Sequence, residues 1–139
     1  MEALLARRKD DRGFTLIELM VVVLIIGILI AIAIPSFFGA RKSAQDTAAE
    51  ANLRNAMTAA KVYWADNGGT YDSFDADIGF DLEPSLPWDG HGDGVQEEIV
   101  VTAASGGTLT LTLMSESGAT CTAEDADGPL TIACEDPVP

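Results

Sequence analysis

One stretch decides most of what this chain can become. From Phe14 to Phe38 the residues are almost all apolar and carry a single charge, Glu18. The twenty residues after Glu18, Leu19 to Phe38, hold no charge at all. At about 1.5 Å per helical residue, that is enough for one bilayer crossing. A basic leader, Arg7-Arg8-Lys9-Asp10-Asp11-Arg12-Gly13, precedes it, and Arg41 and Lys42 follow. The heavier basic count on the leading side favours a cytoplasmic N-terminus, with the rest of the chain facing outward. A carboxylate near the mouth of a membrane helix is costly unless something pairs with it. The partner of Glu18 is therefore central to function.

Three readings of the segment compete. A secretory signal could be cut after Ala31-Ile32-Ala33, which has the small-x-small form. The apolar stretch is long for that, and Glu18 interrupts its start. A plain signal anchor explains length and orientation but leaves Glu18 without a use. Cutting between Gly13 and Phe14 instead leaves an apolar helix whose new α-amine lies four residues from Glu18.

Arg12-Gly13 followed by Phe14-Thr15-Leu16-Ile17-Glu18 and an apolar helix resembles the processing site of the type IV prepilin family. The likeness is strong from about Arg12 to Arg41 and continues more weakly to Tyr71. It implies that prepilin peptidase cuts after Gly13 and methylates the amine of Phe14. It also implies an assembly role for Glu18: the ammonium of Phe14 on a neighbouring subunit would neutralise it and set the axial register of one helix on the next. Buried pairs contribute specificity more than net stability. Gly27 and Pro35 fall where family members carry helix-weakening residues. Pro35 lacks an N–H and its ring opposes the carbonyl of Ala31, so a kink is expected there, and Gly27 lowers helix propensity.

Beyond the membrane segment, Ser36 to Asn67 is Ala-rich, with no Pro and no Gly after Gly39. Leu53, Met57, Ala60 and Trp64 recur at helical spacing, which predicts one apolar face lying under a small sheet. Asn67-Gly68-Gly69 is the stop. Phe14 to Asn67 would span roughly 80 Å if straight, a spine too long for a domain of this size. Gly68 to Glu98 reads as a Gly-, Asp- and Pro-rich connector without periodic pattern. The β-branched run Ile99-Val100-Val101-Thr102, a turn at Ser105-Gly106-Gly107 and the alternation Thr108 to Leu113 predict two strands. A shorter pair around Cys121 and at Leu130 to Cys134, turning at Asp127-Gly128, completes a three- or four-stranded antiparallel meander against the helix. The expected class is α+β: a long N-terminal helix packed against a small C-terminal antiparallel sheet, the fold the resemblance implies. The divisions are a cleaved leader (1–13), a transmembrane and filament-core helix (14–38), its soluble continuation (39–67), a connecting loop (68–98) and the sheet with the disulfide-bonded C-terminal region (99–139).

Cys121 and Cys134 are the only cysteines. Outside the cytoplasm they should form a disulfide, whose loop closure is worth about 3 kcal/mol. A two-Cys metal site lacks the accompanying Cys-x-x-Cys or Cys/His cluster. Net charge is −14, and all eight Lys and Arg lie at or before Lys61. Sixteen acids and no basic residue follow from Val62 onward, which argues against direct nucleic-acid binding. Asp75, Asp77 and Asp81, with Asp89 and Asp93 in a Gly-rich loop, are weak calcium candidates. Neither group has EF-hand spacing, and turn-forming Asp and Gly accounts for them better than a metal does. The sole histidine, His91, has no nucleophile or metal motif around it, so no catalytic site and no cofactor are expected.

The sequence thus points to a structural subunit of a type IV pilus-like surface filament, polymerising with copies of itself after processing. Its partners would be prepilin peptidase and a membrane assembly platform. Two alternatives remain: a pseudopilin of a type II secretion or DNA-uptake system, and a membrane-anchored binding domain that never polymerises.

Overall fold

The computed structural model describes residues 13–91, 97–126 and 129–136. Its contacts divide the chain into two units, meeting between Phe38 and Gly39. The first helix, α1 (Leu16–Asp66), runs through both.

In the first unit, α1 is helical through Gly27 and Pro35. Every large apolar side chain from Phe14 to Phe38 is exposed in the single chain, and none of the membrane-length window is buried. A Cβ at Gly27 would meet nothing within 4 Å.

The second unit holds the core. Along α1, Ala49, Leu53, Ala56, Met57 and Ala60 are buried at the i, i+4, i+7, i+8 and i+11 spacing of one helix face. The helix ends in a Schellman turn: Gly69 donates its N–H to the Trp64 carbonyl at 2.9 Å, and Gly68 takes a left-handed φ of 73°. Trp64 departs from the expected stripe, since it is 41% exposed while Leu53, Met57 and Ala60 are fully buried.

The connector contains a helix that lack of periodicity concealed. Asp75 accepts the Ile78 N–H at 2.9 Å and caps α2 (Ala76–Leu82). Seven residues are too few to display a 3.6-residue repeat. Gly79 on α2 lies directly against the indole of Trp88, which is fully buried. Trp88 is held by its Nε1–H donating to the Glu83 carbonyl and by an isolated parallel bridge to Ile99.

The sheet is a four-stranded antiparallel meander in sequence order: β1 (Ile99–Ser105), β2 (Thr108–Met114), β3 (Thr120–Asp125) and β4 (Thr131–Glu135). Leu109, Leu111 and Leu113 alternate into the core with Cys121 and Ala123, and the intervening threonines face outward. A bulge in β1 leaves Thr102 unpaired between the Val101–Leu111 and Ala103–Thr110 pairs, and Thr102 Oγ1 donates instead to the Thr110 carbonyl. The bulge flips the pleat, so Val101 and then Ala104, not Ala103, lean on the core. Cys121 and Cys134 oppose one another across β3 and β4 and are disulfide-bonded. The turn after β2 is tied to α1 by Asp46, whose Oδ1 accepts from the Ser115 and Ser117 hydroxyls. These hydroxyls hold the Asp46 carboxyl below its ordinary range.

Candidate functional site

The start of α1 is built by a local exchange of hydrogen bonds. Thr15 Oγ1 accepts the Glu18 N–H at 3.3 Å, and Glu18 Oε2 accepts both the N–H and the hydroxyl of Thr15 at 2.8 Å. This Thr-x-x-Glu capping box satisfies two of the donors that every helix N-terminus leaves orphaned. It also places the acid at the positive end of the helix dipole. In the uncut chain the nitrogen of Phe14 is a peptide nitrogen, so Glu18 already has a partner, Thr15 of its own chain.

Thr15 is the residue that reading for a charge partner overlooks. Its signal was present in the sequence, because Ser or Thr three residues before Glu at the head of an apolar run is the capping-box pattern. The Gly13–Phe14 bond lies just outside the helix. Both residues are exposed, Phe14 at 92%. The bond precedes the first helical residue, Leu16, so its peptide is free of the helix ladder. Gly27 and Pro35 stand about three and five turns after Leu16 along the same exposed helix.

The calcium candidates are spread over different local tasks. Asp75 caps α2, and Asp77 Oδ1 lies 2.8 Å from His91 Nε2. The His91 ring stacks on Phe80, with centroids 4.2 Å apart, so this histidine fixes the loop end to α2. Asp81 and Asp89 are exposed, and Asp93 lies outside the described residues. Among the described residues, no group of three or more His, Cys, Asp or Glu side chains gathers where it could hold a metal.

Residues 8–34 match the family described as the prokaryotic N-terminal methylation motif. The chain is similar to the type IV major pilin protein PilA of Myxococcus xanthus, with 47% identity over 70 residues, 50% of this chain and 31% of that protein. It is also similar to the type II secretion system core protein G of Pseudomonas aeruginosa, at 39% over 61 residues, 44% of this chain and 43% of that one. Both alignments span less than half the length of the relative. A fimbrial protein of Pseudomonas aeruginosa aligns far more fully, at 39% identity over 117 residues, 79% of this chain and 73% of that protein. No solved structure matches the chain. The methylation motif at the head of an exposed apolar helix, joined to a four-stranded sheet domain, agrees with the extent of these likenesses: the chain belongs to the type IV pilin-like family, which includes pilins and pseudopilins.

Proposed function

We propose that this protein is the structural subunit of a type IV pilus-like surface filament. It is made as a membrane precursor with its N-terminus in the cytoplasm, cut by prepilin peptidase between Gly13 and Phe14, and methylated at Phe14. It then assembles through the apolar part of α1. The observation that carries the reading is a membrane-length apolar helix, exposed on every side, whose only charge sits in its first turn. An apolar surface of that extent needs lipid or other helices around it.

Assembly on this reading is an exchange of partners. In the precursor, Glu18 is held by Thr15. Cleavage creates an ammonium at Phe14, and a neighbouring subunit's ammonium can then compete for the same carboxylate. Glu18→Ala removes the register contact and should abolish filaments while leaving membrane insertion intact. Normal filaments in electron micrographs of that variant would refute the register argument. Gly13→Phe should leave the precursor at full molecular weight, and an unchanged mature mass would refute cleavage at this bond.

The likeness to the type II secretion core protein supports a second reading, a pseudopilus subunit. Deleting the chain separates the two: loss of surface fibres supports the pilus reading, and loss of protein export with fibres intact supports the pseudopilus.

A further inference from the structure

The chain has three asparagines, and one of them stands in a different chemical setting from the others. Asn52 and Asn55 lie inside α1, and the residues that follow them, Leu53 and Ala56, are fully buried. The nitrogens of those following residues are committed to the helix ladder. Asn67 is exposed, comes directly after the last helical residue, Asp66, and precedes Gly68. Glycine has no side chain to shield its nitrogen from the side-chain carbonyl carbon before it. Among the described residues, no backbone carbonyl accepts the Gly68 N–H, because the turn is closed by the Gly69 N–H on the Trp64 carbonyl. The Asn67 amide is held back by one acceptor: Nδ2 donates to the Tyr63 carbonyl at 2.9 Å, the same oxygen that takes the Asn67 N–H. Tyr63 is itself fixed, with its hydroxyl on the Asp72 carbonyl and its ring edge-on to Phe74. Helix ends open locally far more readily than cores, and such an opening frees Asn67 Cγ to meet the Gly68 nitrogen.

We propose that Asn67 is a deamidation site, with water as co-reactant, and that release of the helix cap sets its pace. The Gly68 nitrogen gives up its proton and bonds to Asn67 Cγ. The Cγ–Nδ2 bond breaks, releasing ammonia and leaving a cyclic succinimide. Water then opens the ring. Opening at Cγ leaves an aspartate, and opening at the main-chain carbonyl leaves an isoaspartate; neither route oxidises or reduces anything. Both products lose the Nδ2 donor to Tyr63. Both also add a carboxylate directly after Asp66, at the negative end of the α1 dipole, where the last turn holds no basic residue to offset it. The isoaspartate further lengthens the backbone inside the Schellman turn. The reaction therefore uncaps α1 irreversibly, beside Trp64, and marks the age of the folded chain.

The test is peptide mass spectrometry on the full chain, held in detergent and mildly alkaline buffer and sampled over days. Position 67 should convert from amide to acid at least about tenfold faster than Asn52 or Asn55. Electron-transfer fragmentation should find both aspartate and isoaspartate there. Tryptophan emission should shift as conversion proceeds, because Trp88 is buried while Trp64 is exposed on the turn that opens. Gly69→Ala places a side chain on a φ of 85° and within 3.3 Å of Trp64 Cζ2, which strains the cap. That variant should convert at least about threefold faster than the wild type, with near-UV circular dichroism showing its core intact. An Asn67 that stays unmodified in the folded chain while reacting in urea overturns the proposal, as does equal conversion at all three asparagines. A folded Gly69→Ala that reacts no faster than the wild type overturns the role given to the cap. Emission unchanged at full conversion overturns the uncapping.

Discussion

Replacing Gly79 by alanine sets two physical effects against each other, and the structure decides which wins. Alanine in place of glycine inside a helix is favourable by about 1 kcal/mol. The added Cβ, however, would stand 2.7 Å from Cδ2, Cε3 and Cη2 of Trp88. That ring cannot easily give way. It is fully buried, its Nε1–H donates to the Glu83 carbonyl at 3.1 Å, and Phe74 packs edge-on with centroids 6.1 Å apart. Overpacking of this kind costs about 1 to 3 kcal/mol, and contact with three rigid ring atoms puts Gly79→Ala at the upper end. The net expectation is a loss of about 2 kcal/mol, which for a domain of this size lowers Tm by about 10 °C. Near-UV circular dichroism of the full chain in detergent, followed through thermal unfolding, reads this directly. Gly79→Ala combined with Trp88→Phe should lose less than the sum of the two single variants, because the clash is shared. A Gly79→Ala variant melting at or above the wild type would refute the packing argument.

Three further outcomes follow from the polar clasps and the disulfide. Asp46 has its pKa lowered from 3.8 by the hydroxyls of Ser117 and Ser115, so its contribution is full above that value and is lost as pH falls through the lower folded value. Urea titrations should therefore show Asp46→Asn less stable than wild type at neutral pH, with the gap closing in acid. The Tyr71 hydroxyl is held well above its ordinary range by burial and by its bond to Asp125, so its contribution is present below about pH 10 and is lost as pH rises further. Tyr71→Phe should cost about 1 to 2 kcal/mol at pH 7 and reduce the alkaline sensitivity of the melt. Reducing the Cys121–Cys134 bond should lower unfolding free energy by about 3 kcal/mol, measured by denaturant titration with and without reductant.

The parts of the fold legible in the sequence are those where one pattern acts alone. The charge-free run after Glu18, the Leu109-Leu111-Leu113 alternation and the glycine stop after Asn67 each follow from a single local rule. α2 was hidden because its seven residues show only a cap, Asp75, among other aspartates that look like turn formers. The bulge at Thr102 was hidden because Ile99-Val100-Val101-Thr102 is β-branched at every position and so carries no alternation to interrupt. Trp64 fits a helical stripe by spacing but is 41% exposed, and no spacing rule reports where along a helix face the cover thins. At the helix start, Glu18 was conspicuous because it was charged. Its partner Thr15 was inconspicuous because a threonine in an apolar run draws attention only when paired with the acid three residues on.

The strand order β1-β2-β3-β4 has a kinetic consequence. Every strand pairs with its neighbour in sequence, through turns of a few residues. The sheet can therefore form by successive hairpins, each closing within microseconds, with little loop entropy lost before contacts form. The last hairpin brings Cys121 and Cys134 into register by itself, so oxidation follows folding of that hairpin and needs no search across the chain. A domain wired this way can reach its native pairing hairpin by hairpin as the chain emerges. The time it spends unfolded, and vulnerable to proteases, is correspondingly short.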